Sequence, residues 1–171
     1  KATTQGLGHG HFDKLGFLYF DNGDEVVADY GAARFLNVEP KAGGRYLPEN
    51  TSWAKQSIAH NTLVVDQTSH FNGDWREGQK HAPTVIEFGT RDGIQVAFAE
   101  IGTAYEDVRL QRLVALMPGN NGRDYVVDIM RGLGVGEHRF DLPVHFKGQL
   151  IETSFEMQHA VDRLEPFGDT N

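Results

Sequence analysis

The chain has no cysteine among its 171 residues. Neither a disulfide framework nor a thiolate metal site is open to it, so any bound metal must be held by nitrogen and oxygen. Zero cysteine suits every compartment and does not place the protein. Long apolar runs are missing too: none approaches the about 20 residues that a membrane-spanning helix needs. No leader segment is visible. The chain opens on Lys1 rather than on methionine, which reads as a piece of a longer protein. Basic charge is scarce, with 16 Lys and Arg against 24 Asp and Glu and a formal net charge of -8. That argues against a general nucleic-acid binder, which carries a basic face. It leaves room for an anionic ligand, because a few cations in a cleft dominate locally whatever the total charge. Also absent are a sustained helical period, an internal repeat, a phosphate loop, a nucleophile elbow and a zinc-protease helix motif.

What is present is strand pattern along most of the length. Leu15 to Phe20 and Glu25 to Tyr30 read as strands, and Asp21-Asn22-Gly23-Asp24 between them is a strong hairpin signal. Asn61 to Asp66 is rich in β-branched residues. Thr84 to Phe88 and Ile94 to Ala99 flank Arg91-Asp92-Gly93. Val108 to Met117 and Asp124 to Met130 flank Pro118 to Gly122. Arg139 to Leu150 holds one or two further strands. Short strands with turn signals at this spacing predict an all-β fold, an antiparallel β-sandwich, with residues 1–171 as one domain. Arg34 to Ala59 breaks the pattern with Pro40, Gly43, Gly44 and Pro48. A connection of that length is usually functional or disordered. Its Phe35, Arg45, Tyr46 and Trp53 favour an ordered binding loop over a surface excursion.

Three segments carry candidate chemistry. His9 and His11 alternate around Gly10, so an extended backbone turns both to one side. Asp29 ends the second strand of the first hairpin, and His60 opens the next strand. Together they have the composition of a mixed His and carboxylate zinc site; two surface histidines are the plainer alternative. Tyr46 follows Arg45 in a Gly-Gly-Arg-Tyr turn. It either moves a proton, aided by nearby cations, or pins the loop to the core. Tyr30, next to Asp29, points the other way and reads as a packing residue. Arg34, set among Ala32, Ala33 and Phe35, is the best placed of the loop cations Arg34, Lys41, Arg45 and Lys55 to grip a carboxylate. His70, His81, His138, His145 and His159 lack a paired context and read as structural or exposed.

Gly-His-Gly-His-Phe-Asp-Lys, then Asp-Tyr-Gly-Ala-Ala-Arg-Phe, then Gly-Gly-Arg-Tyr-Leu-Pro-Glu-Asn, then Ala-His-Asn-Thr-Leu-Val-Val-Asp, covering roughly residues 5 to 70, resemble the heparinase II/III-like superfamily. Within it the oligoalginate lyases of polysaccharide lyase family seventeen are the nearest in pattern. The resemblance implies a two-domain enzyme, an N-terminal helical toroid followed by a large antiparallel β-sandwich, with the active site in the cleft between them. This chain matches part of the sandwich and lacks the toroid, so the isolated chain is expected to be inactive. By the same resemblance His11, Asp29 and His60 match structural zinc ligands. His9 and Tyr46 match catalytic residues, and Arg34 a substrate-holding arginine. Arg45 and Asn61, from the same motifs, join it as substrate contacts. The implied reaction is β-elimination at a 4-linked uronic acid, with alginate rich in mannuronate as the favoured substrate.

A heparin or glycosaminoglycan lyase of the same superfamily, or a carbohydrate-binding β-sandwich without turnover, are the alternatives. The implied partners are an anionic uronate saccharide and the toroid domain, with no nucleic acid and no membrane. A homodimer is left open, and the parent enzyme is expected in the periplasm or secreted.

Overall fold

The computed structural model describes residues 1–4, 10–29, 48–122 and 124–158. Its organising element is an antiparallel meander of four strands, β4 (Thr84–Arg91), β5 (Ile94–Ile101), β6 (Val108–Pro118) and β7 (Asp124–Gly134), hydrogen-bonded in that order. The hairpin between β4 and β5 turns on Asp92 and Gly93, both at positive φ (52° and 82°). This pair of left-handed residues matches the twist of the flanking strands. The same device closes β1 (Tyr19–Asp21) and β2 (Asp24–Val27) at Asn22 and Gly23, with φ of 49° and 92°. Both turns lie where the sequence predicts them.

A second layer lies across one face of the meander. β3 (Val64–Val65) pairs antiparallel with β8 (Phe140–Asp141). The chain then runs on to pair with β2: Ala28 N–H donates to His145 O and Lys147 N–H to Val26 O, each at 2.9 Å. Phe140 lies so close over β7 that a Cβ on Gly132 would come within 2.5 Å of its ring. The architecture is therefore antiparallel and nearly all β, as the alternation predicts. Among the described residues helix is scarce: Pro48 and Glu49 are helical, and α1 (Trp75–Gly78) is a single turn capped by the Asp74 carboxylate on the N–H groups of Arg76 and Glu77. No helix there is long and apolar enough to cross a membrane.

The core follows from strand period. Val108 and Leu110 alternate inward on β6 at 2% and 0% exposure and meet Ile101 of β5, while Phe12, Leu15, Leu63 and Phe71 from the loops and Val65 from β3 close over them. Several predicted strands are shorter than expected, two of them for a visible physical reason. Leu15 has φ 62°, which bends the chain out of the extended form before Tyr19. Asn61 and Thr62 turn their side chains onto carbonyls of other segments, and the β3 ladder begins only at Val64. The connection before His60, in its described part, is also more ordered than a plain loop. Lys55 N–H reaches back five residues to Asn50 O (3.1 Å), a wide π-type turn, and a single 3-10 turn, Ser57–Ala59, follows.

The β3–β8 junction contains a titratable clasp. Asp66 accepts from His138 Nδ1 (2.8 Å) and from Arg139 N–H (2.8 Å), while His138 Nε2 faces Val135 O at 3.1 Å. A neutral imidazole carries one N–H, so both bonds together need the imidazolium. The hydrogen bond to Asp66 raises the His138 pKa, and the bonds from His138 and Arg139 hold Asp66 below the usual carboxylate range. A raised histidine stabilises the fold fully below its unfolded value and loses that stabilisation as pH rises through its folded value. A depressed carboxylate does so above its unfolded value and loses it as pH falls through its folded value. The clasp is thus complete between about pH 4 and about pH 6.5. The Tm difference between the wild type and H138Q is expected to be largest in that window and to shrink at higher pH. A difference independent of pH would show that the clasp does not form.

Candidate functional site

His11, Asp29 and His60 come together although 18 and 31 residues separate them in sequence. One ligand atom from each lies within 4.8 Å of the others. Each arrives by a different local device. His11 is held through its neighbour: Phe12 is 3% exposed, its N–H donates to Lys55 O (2.8 Å) and its carbonyl accepts from Ser57 Oγ (2.5 Å). The His11 segment is thereby stitched to the turn that leads into His60. Asp29 follows β2, whose direction is fixed by the Asn22-Gly23 turn on one side and by pairing with residues 145–147 on the other. His60 ends the Ser57–Ala59 turn and is 1% exposed.

The geometry fits a divalent metal. His60 Nδ1 lies 3.1 and 3.2 Å from the two Asp29 carboxylate oxygens. Donors at the about 2.0–2.1 Å bond length of a tetrahedral zinc sit roughly 3.3 Å apart. The other ring nitrogen, Nε2, lies 3.1 Å from Ala54 O. That carbonyl can only accept, so a neutral ring would carry its proton on Nε2 and leave Nδ1 to bind a cation shared with Asp29, the usual arrangement of a metal-bound histidine. The His11 ring centroid is 5.0 Å from that of His60. Burial pushes the His11 pKa down to about 4, and the neighbouring His60 adds to the effect. A neutral imidazole is the form that binds metal. Two imidazoles and one carboxylate, with no sulfur, suit zinc among other divalent ions.

Behind the cluster two polar residues hold the backbone. Asn61, expected to contact substrate, is 3% exposed. Its Nδ2 donates to Ala28 O (2.7 Å) and, at 3.4 Å, to Phe17 O, and its Oδ1 accepts from His145 N–H (2.6 Å). Arg112, on the inner face of β6, is also 3% exposed. Its guanidinium forks onto Asp128 through Nε (2.8 Å) and Nη2 (2.6 Å), and Nη1 donates to Leu15 O (3.1 Å) and to Asn61 O. Its charge lies 4.6 Å from the centre of the Phe17 ring. Lys14, in the same motif as His11, has no exposed surface and donates from Nζ to Thr3 O and His81 O, each at 2.8 Å. Burial pushes its pKa down to about 8.

The structure thus gathers the three predicted metal ligands and puts Asn61 directly behind them. His9, Tyr30, Arg34, Lys41, Arg45, Tyr46 and His159 lie outside the described residues. The sequence reading missed Arg112, Ser57 and the Ala54 carbonyl. Arg112 had a signal: Val108, Leu110, Arg112 and Val114 alternate on one face, and a charge in such a row needs a partner inside. A backbone carbonyl such as that of Ala54 leaves no signal in sequence.

Comparison with known proteins bears on the family of the chain. A model of the family described as heparinase II/III-like, C-terminal, matches residues 1–166. An alginate lyase of Stenotrophomonas maltophilia (strain K279a) is 51% identical over the whole chain, and an exo-oligoalginate lyase of Saccharophagus degradans (strain 2-40 / ATCC 43961 / DSM 17024) is 45% identical. The chain spans 23% of the length of each. With a family model covering nearly all of it and two full-length alignments at this identity, the chain belongs to the heparinase II/III-like C-terminal family.

Proposed function

We propose that this chain is the zinc-stapled β-sandwich part of a polysaccharide lyase that cleaves alginate or oligoalginate by β-elimination. The observation that carries the reading is the 51% and 45% identity, along the entire chain, to two proteins named as alginate lyases. The convergence of His11, Asp29 and His60 supports the metal. The relatives' much greater length supports a further domain, the helical toroid, as the partner that completes the cleft. Export to the periplasm or beyond suits a polymeric substrate, and fractionation of cells carrying the parent gene would test it.

In β-elimination a base takes the C5 proton of the uronate beside the scissile bond. The C–H electron pair becomes the C4–C5 double bond, the C4–O4 bond breaks, and O4 departs with a proton from an acid. Charge developing on the carboxylate must be stabilised, because the C5 proton is otherwise barely acidic. On this reading Arg34 and Arg45 face that carboxylate, and His9 and Tyr46 move protons. His11, Asp29 and His60 would hold a zinc that supplies rigidity rather than Lewis-acid chemistry. Bound there, it would tie the segment after β2 to the turn before His60, at the two ends of the connection whose sequence contains Arg34 and Tyr46.

The test is the ultraviolet absorbance of the unsaturated uronate product. Polymannuronate would be incubated with this chain and, separately, with a version extended to the relatives' length. Signal from the extended form alone is expected. Signal from neither, on polymannuronate or on sulfated uronates, would sink the lyase reading and leave a sugar-binding module.

A further inference from the structure

We infer that Asn61 is a positioning residue for the metal cluster, the group that sets Asp29 against His60. The inference rests on the metal reading above and adds a residue to it. His60 and Asp29 come from segments 31 residues apart, and their donor atoms must be held to within a few tenths of an ångström for one ion to bind both. Asn61 is covalently next to His60, and Ala28 is covalently next to Asp29. The Asn61 Nδ2 to Ala28 O hydrogen bond of 2.7 Å therefore bridges the two ligands one residue behind them. The opposite end of the same side chain takes His145 N–H at 2.6 Å. His145 O in turn accepts from Ala28 N–H at 2.9 Å, so Ala28 is gripped on both its backbone groups.

The chemistry of the position explains the residue type. It faces two carbonyls and one N–H, and a carboxamide has donors at one end and an acceptor at the other. Aspartate has the shape and no donors. Glutamine has the groups and one methylene too many. Serine is too short to reach both sides. The backbone of Asn61 is fixed as well, since its carbonyl accepts from the Arg112 guanidinium, which also holds Leu15 O. The bridge is therefore anchored to the sheet through β6. At 3% exposure, with both ends of the amide engaged, Asn61 acts on its neighbours rather than on a ligand in solution.

The experiment is zinc affinity by competition with a chromophoric chelator, together with the visible spectrum of the cobalt(II)-substituted protein, for the 171-residue chain. N61D is compared with the wild type and with T62V. Thr62 is the adjacent residue, equally buried, and its Oγ1 donates to Lys14 O at 2.5 Å, away from the ligands. T62V thus loses a buried hydrogen bond without touching the bridge. Affinities are read on the folded fraction, set by circular dichroism.

N61D is expected to weaken zinc by about 10–100-fold, the range for removing an outer-shell partner, and to change the cobalt bands. T62V is expected to stay within about threefold, with an unchanged spectrum. The sign is informative, because the added negative charge alone would tighten zinc. Wild-type affinity and spectrum in N61D would overturn the inference. So would an equal loss in T62V, which would make the effect one of general stability. If N61D does not fold, N61Q takes its place under the same criteria. A wild type that binds no zinc would be seen before any variant is compared, and would remove the metal reading and this inference with it.

Discussion

Zinc added to the metal-free chain is expected to raise its Tm by roughly 8–16 °C at a free concentration a thousandfold above Kd. An ion that binds only the folded state contributes about 4 kcal/mol at that excess, and each kcal/mol moves a domain of this size by about 2–4 °C. The gain should vanish on chelation. The reason for expecting a large effect is where the ligands sit. His11, Asp29 and His60 come from three separate segments, two of which flank the long connection from residue 30 to residue 59, so an ion bound to all three would close long loops at one point. H60A removes the most buried ligand and should abolish the shift. H11A, which leaves Asp29 and His60 in place, should abolish most of it. Differential scanning fluorimetry with and without zinc reads all three proteins. An unchanged wild-type Tm over a wide range of zinc concentrations would end the metal assignment.

The second large effect is expected at Arg112. R112M keeps the apolar stem and removes the guanidinium. That leaves Asp128 without its forked partner and two inward-facing carbonyls, Leu15 O and Asn61 O, without that donor. Breaking a buried ion pair by removing one member typically destabilises by about 3–5 kcal/mol, which here corresponds to roughly 6–20 °C in Tm. Asp128 is 24% exposed on its side chain and regains some water, which favours the lower half of the range. R112K should recover little, because an ammonium cannot fork onto a carboxylate while reaching two carbonyls. Denaturant unfolding measures each value, and a loss below about 1 kcal/mol would show that the network is not strongly coupled to folding.

The two experiments separate stability from site geometry. The Asn61 carbonyl depends on Arg112, so R112M is expected to disturb the metal cluster as well as the fold. T62V probes fold stability alone. Zinc titrations on all of these variants would show whether the cluster fails before or with the sheet.

How much was legible in the sequence depended on whether the signal was local. The hairpin turns at Asn22-Gly23 and Asp92-Gly93 were readable because only particular residues take positive φ at both positions. The inward row on β6 was readable from its period of two. Of the predicted strand Leu15 to Phe20 only Tyr19 and Phe20 are strand, because Leu15 adopts φ 62° in a neighbourhood held by Arg112, which lies 97 residues away. The histidine-aspartate set His11, Asp29 and His60 was named from residue type, motif and family pattern. Their hydrogen-bonded neighbours were not.

The sequence by itself determined the all-β class, the turns and the family, since each rests on residue type at short spacing. It also excluded a thiolate metal site, because there is no cysteine. Only the tertiary structure decided that His60 presents Nδ1 rather than Nε2 to Asp29, that Asn61 bridges to Ala28, and that Arg112 holds the Asn61 and Leu15 carbonyls. Those outcomes depend on where the Ala54, Ala28 and Leu15 carbonyls lie. Every residue carries a carbonyl, so its presence says nothing in a sequence; its direction is set by the fold, and direction is what a buried donor must match.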